Sequence, residues 1–567
     1  MKLRHFSALL AATALLATAC KREAEVSVDN PLLAYVPADT PYVYANLEPT
    51  PAEVTDAFLL RAEPFLETVK VLAGDLEIEI NSEHAGEFRY FRLLSALWAE
   101  FEGKNTREGI ESIGLSTEAM MTVYGMGAFP VVRISLKDPA VFRETITRIE
   151  ARSGITFTSH DLGASQYWKM ASGPQGLAAY FAIVDDHFAL SLFPSAAEAA
   201  WLPSFLGQTM PAGSAMAERL AQLNQDKGYT NFGSGIFDLQ SLATEFMDET
   251  STTGSLLASM GHGDLLQWDA QCKAELRGMI AKAPRIVAGT TEFSADRIGI
   301  SYQLELAPGL AARLMELVAR VPVANSDPDT LFTAALGLKL GKVRDFALEK
   351  ATAITTAPFQ CENLQGLNHQ AQALVERLSM PMMPFINNLK GFRVSLDEFD
   401  PENFSPATAR GLFTLEMEKP QMVIGMAQMM VPGLAELQLE PGAEPVELPQ
   451  ELLSLSADGM HVFAAMGKDS IGVALGQSKQ AELIKFMEGG ATNGNVFFSV
   501  EYDIAAQLEL QDKVQRRAAA ERGVPVDEYE ELILKMRAAY MSLLGRNRLE
   551  MHFDEAGIRI DSSMSFN

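Results

Sequence analysis

The residue with the most specific chemistry in this chain is a thiol, Cys20, which closes the run Leu15-Leu16-Ala17-Thr18-Ala19. Lys2, Arg4 and His5 supply a positive start, and Phe6 to Ala19 an apolar stretch too short to span a bilayer, with small residues just before the cysteine. That is the pattern of a bacterial lipoprotein signal. Cleavage before Cys20 would leave a lipid-modified N-terminus, so residues 1–19 are expected to be a signal peptide and 20–32 a lipidated tether. Lys21 to Asn30 is short and polar and spans at most ~35 Å when fully extended, which keeps the body near the bilayer. After the leader no apolar run approaches the ~20 residues of a membrane span, so the lipid is the expected hold on the membrane.

With Cys20 acylated, Cys272 and Cys361 remain, and in an exported chain such a pair favours a disulfide over two buried free thiols. Two thiols are too few for a structural zinc site, and their separation excludes a CxxC redox motif.

The histidines, His5, His84, His160, His187, His262, His369, His461 and His552, include no two within four residues of each other, so compact metal motifs such as HExxH are absent. His160-Asp161 and His262 with Asp264 have catalytic residue types, but isolated polar pairs of this kind are expected to be solvated. Gly233-Ser234-Gly235 lacks the spacing of a nucleophile elbow and is expected to be a strand irregularity. The carboxylates of Asp397, Glu398, Asp400 and Glu402 suit Ca²⁺ by type and not by EF-hand spacing; a solvated turn is expected. Met380, Met382 and Met383, with Met426, Met429 and Met430, offer soft thioethers for Cu(I) but have no histidine or cysteine among them, which favours adaptable core or groove lining. No Walker loop or dinucleotide fingerprint occurs, and no cofactor, metal or catalytic residue is assigned.

The elements that would position any of these residues recur along the chain. Pro37-Ala38-Asp39-Thr40 before Tyr42-Val43-Tyr44 returns as Asp327-Pro328-Asp329-Thr330 before Leu331-Phe332-Thr333. Phe129 to Leu136 and Asp138-Pro139 return as Leu412 to Met417 and Lys419-Pro420, and each proline suits the first turn of a helix. The hairpin Ala179 to Ser191, turning at Asp185-Asp186, returns as Val462 to Leu475. Ser195 with Glu198 then has capping-box spacing, which Ser478 with Ala481 lacks. Ile236-Phe237-Asp238 returns as Glu501-Tyr502-Asp503, and the strands around Phe293 and Ile298 as those around Phe553 and Ile558. Five matches in one order imply a divergent tandem duplication, with a first repeat at 33–306, a connecting helix at 307–320 and a second repeat at 321–567. Short hairpins exclude parallel crossovers, so each repeat is α+β with a mainly antiparallel sheet. A helix is expected from Thr50-Pro51-Ala52-Glu53 to about Val71, an exposed loop over Leu439 to Pro449, and a helical pair from Gln511 to Leu544 broken at Gly523-Val524-Pro525.

The signal ending in Cys20, the Pro37-Ala38-Asp39-Thr40 strand entry and the two α+β copies together resemble uncharacterised lipoproteins of Gram-negative bacterial envelopes, a family of unknown function. The resemblance implies address and architecture and carries no activity with it. Lys21 stands where the enteric sorting pattern places an Asp to retain a lipoprotein at the inner membrane, so by that resemblance the chain is bound for the outer membrane, facing the periplasm.

Lys and Arg total 46 against 73 Asp and Glu, a net charge of −27 that repels nucleic acid and anionic headgroups. Hydrophobic residues at 48% and charged residues at 21% are ordinary for folded domains, so disorder is not the expectation. The leading expectation is a non-enzymatic binding or scaffold protein with an envelope protein or peptide as partner, engaged at an open sheet edge or a groove between the halves. A carrier of an apolar or lipid-like ligand is the first alternative and an unrecognised hydrolase the second. A deep apolar cavity would favour the carrier, convergent His, Asp and Ser the hydrolase, and a flat surface the binding protein.

Overall fold

Two-residue turns set the sheet. Gly127-Ala128, Gly163-Ala164, Asp185-Asp186 and Glu555-Ala556 each join paired strand ends, and φ is positive at Gly127, Gly163 and Asp185, as tight hairpins require. The computed structural model describes residues 30–63, 89–170, 176–212, 215–261, 268–319, 321, 330–381, 384–399, 408–430, 432–434, 436–449, 461–489, 494–522, 534, 537 and 543–567.

The strands of the first half are β1 (Tyr42–Ala45), β2 (Met121–Met126), β3 (Phe129–Ser135), β4 (Thr158–Leu162), β5 (Ser165–Lys169), β6 (Leu177–Val184), β7 (His187–Pro194), β8 (Ser234–Asp238), β9 (Arg285–Phe293) and β10 (Arg297–Glu305). Those of the second are β11 (Phe332–Gly337), β12 (Leu389–Glu398), β13 (Arg410–Met417), β14 (Val446–Glu447), β15 (Val462–Met466), β16 (Ser470–Leu475), β17 (Val496–Asp503), β18 (Leu544–Asp554) and β19 (Gly557–Phe566). Every pairing between them is antiparallel, in one continuous sheet of order β4-β5-β6-β7-β3-β2-β1-β8-β9-β10-β19-β18-β17-β11-β12-β13-β16-β15-β14. The protein is therefore α+β, built on one large antiparallel sheet. The expected groove between separate halves is replaced by hydrogen-bonded strands, because β10 and β19 pair along their lengths from Arg297↔Ser565 to Glu305↔Gly557.

Outward from this seam the order is the same on both sides, and the register agrees. Tyr42 faces Phe237 as Phe332 faces Tyr502, and Val132 faces Leu190 as Phe413 faces Val473. Asp238 and Asp503 both cap the helix that follows, accepting from Ser241 N at 2.9 Å and Ala506 N at 2.8 Å. Phe293↔Ile298 and Phe553↔Ile558 flank equivalent turns, and three residues beyond them Ser301 is paired with Asp561.

Side chains alternate between a buried face and a half-exposed one. Helices Glu198–Phe205 and Met216–Lys227 cover the buried face of the first half around Tyr124, Tyr180, Phe193 and Leu220, and helix Gln480–Glu488 covers the second through Leu483 and Met487. Beneath each cover a buried arginine reaches the end of a helix. Arg133 on β3 donates to Phe205 O at 2.8 Å, and Arg393 on β12 donates to Phe486 O and to Gly489 O at 3.1 Å. Unpaired carbonyls at a helix C-terminus carry partial negative charge, so a guanidinium suits them. Arg133 faces Thr122 across its strand pair and Arg393 faces Thr414, so the Arg/Thr pair is retained with its strands exchanged.

The remaining local expectations divide. Helix Pro308–Met315 occupies part of the 307–320 connection, residues 52–63 are helical within the predicted first helix, and Ile504–Arg522 forms the start of the late helical region. The Leu439 to Pro449 loop contains β14, which pairs with β15. Ser195 and Glu198 form no reciprocal cap, because Glu198 turns to Lys169 Nζ at 2.5 Å and to Tyr180 Oη at 2.6 Å. Gly233 and Gly235 sit in regular surroundings where a Cβ would meet Tyr44, so close approach of that ring explains them rather than a strand irregularity.

Candidate functional site

Polar groups converge at the β10–β19 seam. Arg285 and Lys227 hold Glu305, the latter at 3.1 Å; Gln303 Nε2 donates to Asp554 Oδ1 at 3.1 Å; Arg559 Nε lies 3.0 Å and His552 Nε2 3.1 Å from Asp561 Oδ2. A shallow depression of about 480 Å³, lined by Tyr229, Ser301, Gln303, Asp554 and Arg559 among others, opens here. Burial pushes the Asp561 carboxyl upward, but His552, Ser301 and Arg559 outweigh it and leave the group below its ordinary range. Burial pushes the Tyr229 phenol up.

Ser, His and Asp thus meet at the seam in an order unsuited to hydrolysis. A serine nucleophile needs the histidine between itself and the carboxylate, so that the imidazole takes the hydroxyl proton while the acid orients its far nitrogen. Here Asp561 lies beside Ser301 on the neighbouring strand, and His552 contacts the far side of that carboxylate. The cluster neutralises charge within the sheet.

The residues singled out in the sequence are scattered. His160 and Asp161 lie on β4, the outermost strand of the first half, where His160 stacks on Tyr167 at 5.3 Å. Asp397 and Glu398 finish β12 instead of forming a loop, and Asp397 pairs with Lys479 at 2.5 Å. No group of acidic, histidine or cysteine side chains fit to hold a metal occurs among the described residues. Met380, Met429 and Met430 are 60%, 80% and 74% exposed, which overturns a core placement of those three. Cys20, His84, His262, Asp264, Met382, Met383, Asp400 and Glu402 lie outside the described residues. Cys272 and Cys361 are disulfide-bonded, with Cα atoms 4.7 Å apart, in a small core with Trp268, Leu276 and Leu364. Glu275 accepts from the amides of Gln360 at 2.9 Å and Cys361 at 3.1 Å, so this contact ties helix Ala270–Ile280 to the second half.

Sequence reasoning missed the buried arginines. Arg133 is fully buried, donates to Tyr124 Oη at 3.1 Å, lies 2.7 Å from His187 Nε2 and sits 4.1 Å from the Tyr35 ring centroid. Burial, followed by the Arg133 charge, pushes His187 down to about 4. Burial pushes Arg393 down and Glu416 up, although they lie 3.5 Å apart. The available signal was a charged residue on an otherwise inward-facing strand position.

The other face of the sheet is only partly covered: at the turn end of the β9–β10 hairpin Val54, in helical residues 52–63, packs on Phe293 and Ile298, and Phe58 meets Phe566 at 6.2 Å. Tyr42 and Phe237 stack on this face at 5.5 Å and Phe392 and Phe413 at 6.3 Å, while Tyr302, at the seam, is 45% exposed and Phe413 37%. Helices Arg89–Glu100 and Pro139–Ser153 cover this face at the far end of the first half, where Phe142 meets Phe188 at 5.3 Å and Ala96, Ile146 and Ile149 are buried. Among the described residues no helix is long and apolar enough to cross a membrane. Comparison with family models, with curated proteins and with solved structures yields no match for this chain.

Proposed function

We propose that the chain is a non-enzymatic, lipid-anchored protein of the bacterial cell envelope, formed by tandem duplication, that presents the uncovered part of this sheet face to a macromolecular partner. The observation that carries this reading is that Tyr302 at the seam and Phe413 in the second half expose aromatic rings on one face of the sheet, since exposed apolar side chains grouped on one face mark interaction surfaces. The shallow, ion-paired depression at the seam supports neither an apolar carrier cavity nor a hydrolase. Anchoring at Cys20 and an outer-membrane address belong to the same proposal and rest on the leader and Lys21.

The test places a photoreactive amino acid at Tyr302 or Phe413 in cells and illuminates intact envelopes. Discrete protein adducts at these positions, absent from a control at buried Tyr180, are expected, and the Cys20→Ser variant should lose both membrane retention and the adducts. Uniform labelling by solvent alone, or membrane retention of the serine variant, would count against the proposal.

A further inference from the structure

Counted from the proline that opens each helix, Pro139–Ser153 and Pro420–Met430 occupy corresponding places, and their surroundings differ. In the first, Ile149 is 7% exposed, because helix Arg89–Glu100 packs over it through Leu93 and Ala96. Glu100 then pairs with Arg148 at 2.7 Å. In the second, Met430 stands where Ile149 does and is 74% exposed, Met429 replaces Arg148 and is 80% exposed, and Met422 is 38% exposed. Among the described residues of this helix only Pro420 is buried, and the helix Pro420 to Met430 contains no charged residue. The topological counterpart of the covering helix, Gln365–Leu378, follows Cys361, whose disulfide ties the start of that helix to helix Ala270–Ile280.

We propose that helix Pro420–Met430 is a docking site for an amphipathic helix of a partner protein, seated as Arg89–Glu100 is seated in the first half. This rests on the binding reading above and on the correspondence of the two halves. Thioether side chains are flexible and polarizable, and they accommodate the leucine and aromatic stripe of a bound helix without a fixed mould. With Met429 in place of Arg148, the site lacks the cation that holds Glu100, so an acid at that position of the guest gains nothing. Exposed Glu436 and Glu440 follow the helix, and Gln428 Nε2 donates to Leu437 O at 2.9 Å, which holds this acidic segment beside it. The guest is therefore apolar on one face and basic on its flank.

The probe is a labelled, helix-stapled peptide with the sequence Arg89 to Glu100, RYFRLLSALWAE, which has both properties. Its binding to the full chain is followed by fluorescence anisotropy. Saturable binding is expected, weakened at least tenfold by Met430→Glu in the protein and by Leu93→Asp with Ala96→Asp in the peptide. Met430 is exposed, so the protein variant should keep its melting temperature. Absence of binding, or binding indifferent to Met430→Glu, overturns the proposal. So does a result in which Met430→Glu abolishes only adhesion to phosphatidylethanolamine vesicles or only self-association in sedimentation, since the surface would then serve a bilayer or a second copy. Adducts at Tyr302 that persist in any of these cases would leave the broader binding reading standing.

Discussion

Acid should destabilise this protein through His187 in a way that one substitution removes. The imidazole is 1% exposed, and its Nε2 lies 2.7 Å from the Arg133 guanidinium, which can only donate; the neutral ring must carry its proton on Nδ1, toward Asp186. Burial and then Arg133 lower the folded pKa to about 4, against ~6.5 for an unfolded chain. Between these values the unfolded chain binds a proton that the folded one refuses. Stability is therefore full above ~6.5, falls as the pH drops through that value, and has lost its whole His187 contribution below about 4. The linkage integral gives about 2.5 kcal/mol at pH 4.5. Urea unfolding at pH 7.5, 5.5 and 4.5 should be compared with His187→Gln, which keeps an acceptor for Arg133 but cannot titrate. Carboxylate effects common to both proteins cancel, so the wild type should lose about 2.5 kcal/mol more than the variant on going to pH 4.5. Parallel stability curves would refute the reasoning.

The Cys272–Cys361 bond spans 89 residues, so replacing both cysteines by serine should lower stability by up to about 4.5 kcal/mol in denaturant titrations, and mass spectrometry without reductant should find the two peptides joined. An unchanged midpoint would show that the bond does not restrict the unfolded chain. Arg393→Thr should cost about 3 kcal/mol by stranding Glu416 and the helix-end carbonyls, and adding Thr414→Arg should recover a substantial part of it, because the first half places its arginine on that strand. A double variant no more stable than the single one would contradict the exchange.

Hairpins were legible where side chains and turns agree. The apolar run Ala179 to Val184 turning at Asp185-Asp186 identified a hairpin, and the recurrence of Tyr42 and Phe332, Pro139 and Pro420, and Asp238 and Asp503 located positions that share register in the structure. β4 escaped notice because Thr158 to Leu162 is polar, as an outer strand tends to be. The fusion of both halves into one sheet was hidden because pairing of β10 with β19 is a long-range event with no local signature. The candidate surface was invisible for a related reason: Met430 and Ile149 are similar as residue types, and their different exposure depends on which helix lies across them.

The pairing of Ser301 with Asp561 places equivalent positions of the two hairpins opposite each other, so an approximate dyad passes through the middle of the sheet. The arrangement is like that of an isologous interface, in which equivalent edges meet about a dyad. Two separate chains of this kind would close the sheet as a dimer at a concentration set by their affinity. Joining them through Pro308–Met315 and the residues that follow turns that bimolecular encounter into an intramolecular one, whose effective concentration does not fall on dilution. The covalent link also lets the two halves differ, so that Ile149 lies under a helix in one while Met430 is exposed in the other.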